Sequence, residues 1–201
     1  MNMKHISAHI PSRKAKGFSL IEILVVIAIM ATLAGLSYSP ILSMINNSRR
    51  SEALNTMKKL ERSINQFYID YEHIPSNKRI NPPSWDSQIW TNRGDGTMLL
   101  RVLMADESLM NTKGIEYFEA PESKNNKGGV LWINDQPTYL YDKFGNGFGI
   151  LIDNDYDEIL SIPKIYDPTG YGEIKGHKVL IWNAGPDKKM GTEDDLKSWD
   201  H

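Results

Sequence analysis

Hydrophobic and polar positions follow three different patterns along this chain. Residues 23–36 are almost wholly Ile, Leu, Val, Ala and Met, and no charged residue falls between Ile23 and Ser48. A run of that kind predicts a helix that is apolar on every side. At about 1.5 Å per residue, about 20 residues cover a bilayer core of about 30 Å, so Ile23 to Ile45 is long enough to span one. Beyond Pro40 the pattern becomes periodic. Ala53, Met57, Leu60, Ile64, Phe67 and Tyr71 recur at spacings of four and three, while Arg49, Arg50, Glu52, Lys58, Lys59, Glu61 and Arg62 occupy the other faces. That predicts one helix from Phe18 to about Tyr71, burying a single stripe against a sheet. Pro40 removes a backbone hydrogen bond and crowds the carbonyl of Leu36, so a kink is expected there.

The remainder is short and broken. "HIPSNKRINPPSWDSQ" reads as an irregular loop, Thr97–Met104 as a short helix capped by Asp95 or Thr97, and "GIEYFEAPESKNNKGG" as a loop closed by a Gly-Gly turn. Strands are expected at Val130–Ile133, Phe148–Ile152, Ile159–Ile162 and Lys178–Trp182. One long helix over a few antiparallel strands is an α+β arrangement.

Charge sharpens the reading of the N-terminus. Of 23 bases, Lys4, Arg13, Lys14 and Lys16 lie in residues 1–17, which carry no acid; the rest of the chain faces 25 acids with a deficit of about six. A net-acidic body argues against a general polyanion binder, and the interleaved acids leave the basic positions of the stem as a solvated or helix-packing face rather than a nucleic-acid surface. The basic leader favours a cytoplasmic N-terminus. A secretory signal cut near Ala34, a plain membrane anchor and a buried core helix are all compatible with an apolar run. The first two leave Glu22 unexplained, and the flanking charges disfavour the third. An acid in an apolar segment costs roughly 2.5–3.5 kcal/mol at mid-helix and less near an end, and it usually marks a partner. Cleavage between Gly17 and Phe18 would supply one: a free amine on Phe18, one helical turn from Glu22.

"KGFSLIEILVVIAIMATLAGL" (16–36) resembles the class III signal of type IV pilins and of the pseudopilins of type II secretion. The resemblance implies that a membrane peptidase cuts after Gly17 and N-methylates Phe18. It also implies that Glu22 guides assembly by neutralising the N-terminus of a neighbouring subunit. The expected organisation is a leader over 1–17, a transmembrane and stem helix over 18–72, and a periplasmic α+β head over 73–201. The expected partners are further copies of the chain, other pseudopilins, the prepilin peptidase, the inner-membrane assembly platform and membrane lipid, with no nucleic acid. The implied role is a structural subunit of a periplasmic pseudopilus anchored in the inner membrane. A type IV or competence pilus subunit is the alternative, although many such pilins close a C-terminal loop with two cysteines and this chain has none.

Two acidic loops are candidate cation sites. In "AGPDKKMGTEDDLKSW", Asp187, Asp194 and Asp195 sit on a backbone that Gly185, Pro186 and Gly191 force to turn. Calcium takes roughly six to eight oxygens from carboxylates and loop carbonyls, which such a loop offers; a solvated acidic turn is the plain alternative. The stretch resembles the C-terminal calcium loop of major pseudopilins, with Ser198-Trp199 on its end, and that implies calcium as cofactor. "DKFGNGFGI" (142–150) resembles a neighbouring turn of the same family. The insert between the two, about 151–177, is longer than in the compact major subunits. Asp153, Asp155 and Asp157 alternate as in the start of an EF-hand loop, but Glu158 stands at the glycine position and Lys164 at the closing acid. This stretch is more simply the polar turn of a β-hairpin.

Enzymatic signals are missing from the sequence. His5 and His9 lie in the leader, and His73, His177 and His201 show neither metal-ligand spacing nor a triad context. No nucleophile elbow, phosphate loop or dinucleotide fingerprint occurs. A membrane-anchored enzyme is the remote alternative, since a mere anchor has no use for Glu22.

Overall fold

The structure is a computed structural model that describes residues 17–75 and 86–200; of residues 36–41 only the helical backbone is described. The expected leader, apart from Gly17, lies outside the described residues. So does most of the proline-rich loop after Pro75, and the expected kink at Pro40 falls among side chains that are not described.

The first element, α1, runs from Leu20 to Tyr71. Its start lies two residues after the expected Phe18, and its end falls on the expected residue. Residues up to Ser43 and residues 44–201 form two separate units. In the first unit every described side chain from Phe18 to Gly35 is exposed. The expected membrane crossing is not met by the described residues: no helix among them is long and apolar enough to cross a membrane. The part of α1 described without a break in its side chains, 20–35, rises only about 24 Å, short of a bilayer core of about 30 Å.

In the second unit the periodic stripe does what its spacing predicts. Ala53, Met57, Leu60, Ile64 and Phe67 are buried, and Tyr71 packs at the edge of the same cluster. Each large side chain removed from water contributes roughly 1.5–3 kcal/mol, so this face holds the helix to the head. The cluster also takes Leu99, Leu100, Val102 and Leu103 from α2 (Gly94–Leu103).

Facing these helices is a four-stranded antiparallel sheet, β1 (Ser87–Trp90), β4 (Gly149–Ile152), β7 (Val179–Asn183) and β8 (Leu196–Lys197), in the order β1-β4-β7-β8. Strand side chains alternate between faces. Ile150, Ile152, Val179 and Ile181 point to the helical core, while Leu151, Leu180 and Trp182 build a second cluster behind the sheet. Tyr166, Ile174, Met190 and Trp199 cover that second cluster. The long insert and the C-terminal loop thus roof the back of the sheet.

Two hairpins complete the head. Strands β2 (Gly129–Ile133) and β3 (Gln136–Tyr141) are joined by Asn134 and Asp135, both at positive φ (52° and 60°), which the two-residue hairpin turn requires. Strands β5 (Ile159–Ser161) and β6 (Glu173–Lys175) form the other.

Several expectations need correction. Residues 153–158 are not a hairpin turn: β4 pairs with β1 and β7, β5 pairs with β6, and the acidic stretch links one sheet to another. The α2 N-cap is Arg93, without a side-chain cap bond. Asp95 instead accepts the Trp90 N–H at 3.2 Å, and the Thr97 hydroxyl donates to the Thr138 carbonyl at 2.9 Å.

Candidate functional site

Three places carry the chemistry singled out above: the start of α1, the C-terminal loop and the 153–158 loop.

At the start of α1, the Ser19 N–H donates to Glu22 Oε2 at 2.8 Å, and the Glu22 N–H donates back to the Ser19 carbonyl at 3.0 Å. This is the glutamate half of a Ser-x-x-Glu capping box, in which the carboxylate satisfies a backbone donor that the helix itself leaves free. Its negative charge also sits at the positive end of the helix dipole. Glu22 is exposed and lies within one turn of Phe18, the residue expected to bear the new amine. Sequence reasoning passed over Ser19, although the Ser-x-x-Glu spacing was there to be read.

The C-terminal loop brings Asp187, Asp194 and Asp195 together, each offering a carboxylate oxygen within 4.8 Å of the others. The backbone arranges this. Gly185 is at φ +62°, and a β-carbon on it would collide with the Asp194 carbonyl oxygen. Lys188 and Gly191 are also left-handed (φ 62° and 84°). The Asp187 N–H donates to Asp194 Oδ2 at 2.9 Å, and the Gly191 N–H donates to Asp195 Oδ2 at 2.6 Å. Thr192 Oγ1 lies 2.7 Å from Asp194 Oδ1 and 3.2 Å from Asp195 Oδ1; its one proton serves one of them at a time. Asp195 is 5% exposed. Burial works to raise the Asp194 carboxyl, but the Thr192 hydroxyl, loop amides and the Arg50 charge outweigh it and hold it below its ordinary value.

Behind this loop stands the 142–147 turn, whose supporting role the sequence did not reveal. Asp142, 3% exposed, accepts from the N–H groups of Phe144, Gly145 and Asn146 at 2.8, 2.7 and 2.7 Å. Asn146 Nδ2 lies 3.1 Å from Asp142 Oδ2 and donates to the Gly185 carbonyl at 2.7 Å. Ser198 closes the far end, with its N–H on the Ile181 carbonyl at 2.8 Å and its Oγ receiving the Ile181 N–H at 3.0 Å. Trp199 packs on Trp182 and Tyr166.

In the third place, Asp153 and Asp155 are joined by Asp86 rather than by Asp157. Asp153 is fully buried and accepts from the Tyr156 N–H at 2.7 Å and the Glu158 N–H at 3.1 Å. Asp157 accepts the N–H of Ile159 at 2.8 Å within its own turn. Asp86 is pushed up to about 6, first by burial and then by Asp155, Asp153 and Asp157. Its place here could not be read from spacing, because it lies on β1's approach, far away in the chain.

A family model described as the prokaryotic N-terminal methylation motif matches residues 12–38. The chain is 27% identical over 186 residues to type II secretion system core protein G of Escherichia coli strain K12, a match covering 92% of each chain. No solved structure gives a significant match. The chain therefore carries a prepilin-type N-terminus on a pseudopilin-like body, and the likeness to type II secretion pseudopilins drawn from residues 16–36 extends over nearly its whole length.

Proposed function

We propose that this protein is a structural subunit of a type II secretion pseudopilus, cut after Gly17 by a prepilin peptidase and assembled through its N-terminal helix. The carrying observation is the coincidence, at one place, of the methylation motif, a helix start capped by Glu22, and a following helical stretch, up to Gly35, whose apolar side chains are all exposed. An uncovered apolar surface of that extent needs lipid or another protein against it. The subunit waits in the inner membrane with its head in the periplasm, and neighbouring helices replace lipid as the filament forms. Glu22 then exchanges its hold on the Ser19 N–H for the amine of an adjacent Phe18. The role is mechanical, and the chain is no enzyme.

Calcium is the proposed cofactor, held by Asp187, Asp194 and Asp195. Three carboxylates gathered within 4.8 Å, one of them buried, form a hard, all-oxygen donor set of the kind calcium prefers. The ion would neutralise their mutual repulsion and tie the C-terminal loop to the sheet.

Mass spectrometry of protein purified from peptidase-containing cells tests the processing. A chain beginning at methylated Phe18 is expected; an intact Met1 in assembled filaments would overturn the reading.

A further inference from the structure

The charges on the head-bound part of α1 are sorted. Its acids turn to the head: Glu52 pairs with Lys143 at 3.3 Å, Glu61 lies 4.0 Å from the His177 ring, and Asp70 takes the Tyr117 hydroxyl at 2.7 Å. Its bases do not. Lys58, Lys59 and Arg62 are exposed, and among the described residues none of them makes an ion pair. They share one helix face, spaced by three and four residues, and they border an open groove of about 390 Å³ against Phe118 and Pro121. The other acids at that groove are Glu52, already engaged by Lys143, and Glu119, so the groove stays net positive.

The opposite situation holds at residues 153–158. Asp86, Asp153, Asp155 and Asp157 lie close enough to repel one another, and the one base engaged among the described residues, Lys178, is taken by Glu158 at 3.0 Å. Asp153 ties down the loop from beneath through two backbone N–H groups, while Asp155, Tyr156, Asp157 and Glu158 are exposed on it. The acidic surface is therefore built in advance, which lowers the cost of using it.

One chain thus carries two different, exposed and electrically complementary surfaces. Contacts between unlike surfaces are heterologous, and when they do not close on themselves they generate an open helical polymer. We infer that the basic face of Lys58, Lys59 and Arg62 on one subunit receives the acidic loop Asp155–Glu158 of a second copy. This rests on the filament reading and adds the head-to-stem contact that sets register between subunits. Charge pairs of this kind contribute more to orientation and specificity than to raw affinity.

The experiment is a charge swap in the full chain, expressed with its processing and assembly machinery, and read as filament yield by microscopy and shearing. Lys58→Glu with Lys59→Glu and Arg62→Glu reverses one surface. Asp155→Lys with Asp157→Asn and Glu158→Lys reverses the other and keeps an acceptor for the Ile159 N–H. Either reversal alone is expected to lower yield about tenfold. A chain carrying both is expected to recover to within about twofold of the parent, which misfolding could not produce. Arg62→Cys paired with Asp157→Cys, in a chain with no other cysteine, should give a cross-linked ladder in filaments after oxidation. Normal filaments from both single reversals, or no recovery in the combined chain, would overturn the inference. So would reversal of the basic face abolishing sedimentation with anionic phosphatidylglycerol vesicles while filaments show no cross-link, which would assign those bases to lipid. If the parent chain itself makes no filaments, the assembly reading fails first.

Discussion

The side-chain amide of Asn146 donates to the Gly185 carbonyl at 2.7 Å, so a turn after β3 holds the loop that carries Asp187, Asp194 and Asp195. The same amide lies against Asp142, whose carboxylate fastens the turn through three backbone N–H groups. Asn146→Ala removes that link and leaves both oxygens short of a donor. The expected cost is about 1–2 kcal/mol, roughly 2–8 °C in Tm for a chain of this size. Thermal melts with and without calcium check it, and the variant should also need more calcium to reach its highest Tm.

Chelation is the direct test of the C-terminal site. A chelator is expected to lower the melting temperature of the purified chain, and added calcium to restore it. Asp194→Ala with Asp195→Ala should melt at one temperature regardless of chelator. Identical melting curves for the parent with and without chelator would dismiss the site.

Glu22 has two tasks that one substitution pair can separate. Glu22→Gln keeps an acceptor for the Ser19 N–H but removes the charge; Glu22→Val removes both. Both variants should be cut after Gly17, and both should lose most filaments, because pairing with an amine needs the charge. Glu22→Gln should retain more order at the helix start, read as slower amide exchange at Ser19. Filaments at parental yield from Glu22→Gln would remove the charge argument.

The Asp86 cluster makes stability depend on pH with a definite sign. An unfolded Asp86 keeps its ordinary value near 3.8, whereas the folded one titrates at about 6. Between those values the folded chain binds more protons than the unfolded one. Asp86 therefore weakens the fold as pH rises from about 4 to 6, and the full cost is present at neutral pH. Asp86→Asn should raise stability at pH 7 by about 1 kcal/mol, allowing for solvent screening, and leave it nearly unchanged at pH 4. Denaturant midpoints at the two pH values check this.

Much of this architecture was legible because it is periodic. The Ala53 to Phe67 stripe survives as the helical side of the core, and the strands read at Val130, Phe148, Ile159 and Lys178 all exist within a residue or two. What escaped was short or irregular. Strand β1 is four residues long and follows two prolines, so turn signals masked it. Strand β3 carries Pro137, which argues against a strand until the strand proves to sit in a two-stranded sheet, where that N–H is dispensable. Strands β6 and β8 are three and two residues long, too short for any alternation to be seen.

The sites divide in the same way. Asp187, Asp194 and Asp195 could be grouped because a glycine-punctuated turn keeps them close in sequence. Asp153 and Asp155 could be paired with Asp157 by spacing, but a fold that brings β1 beside β4 substitutes Asp86, and no local pattern encodes that choice. The Ser19–Glu22 box was local and was missed for a different reason: an acid assigned to a neighbouring chain was not also sought as a partner of its own backbone.

Met57, Leu60, Ile64 and Phe67 belong to the stem by sequence and to the head by packing. A thrust delivered along this part of the helix therefore enters the head through interlocked hydrocarbon instead of a pliable tether. Any trimming intended to free the head in soluble form must begin before Ala53, or it will remove the wall on which the sheet rests.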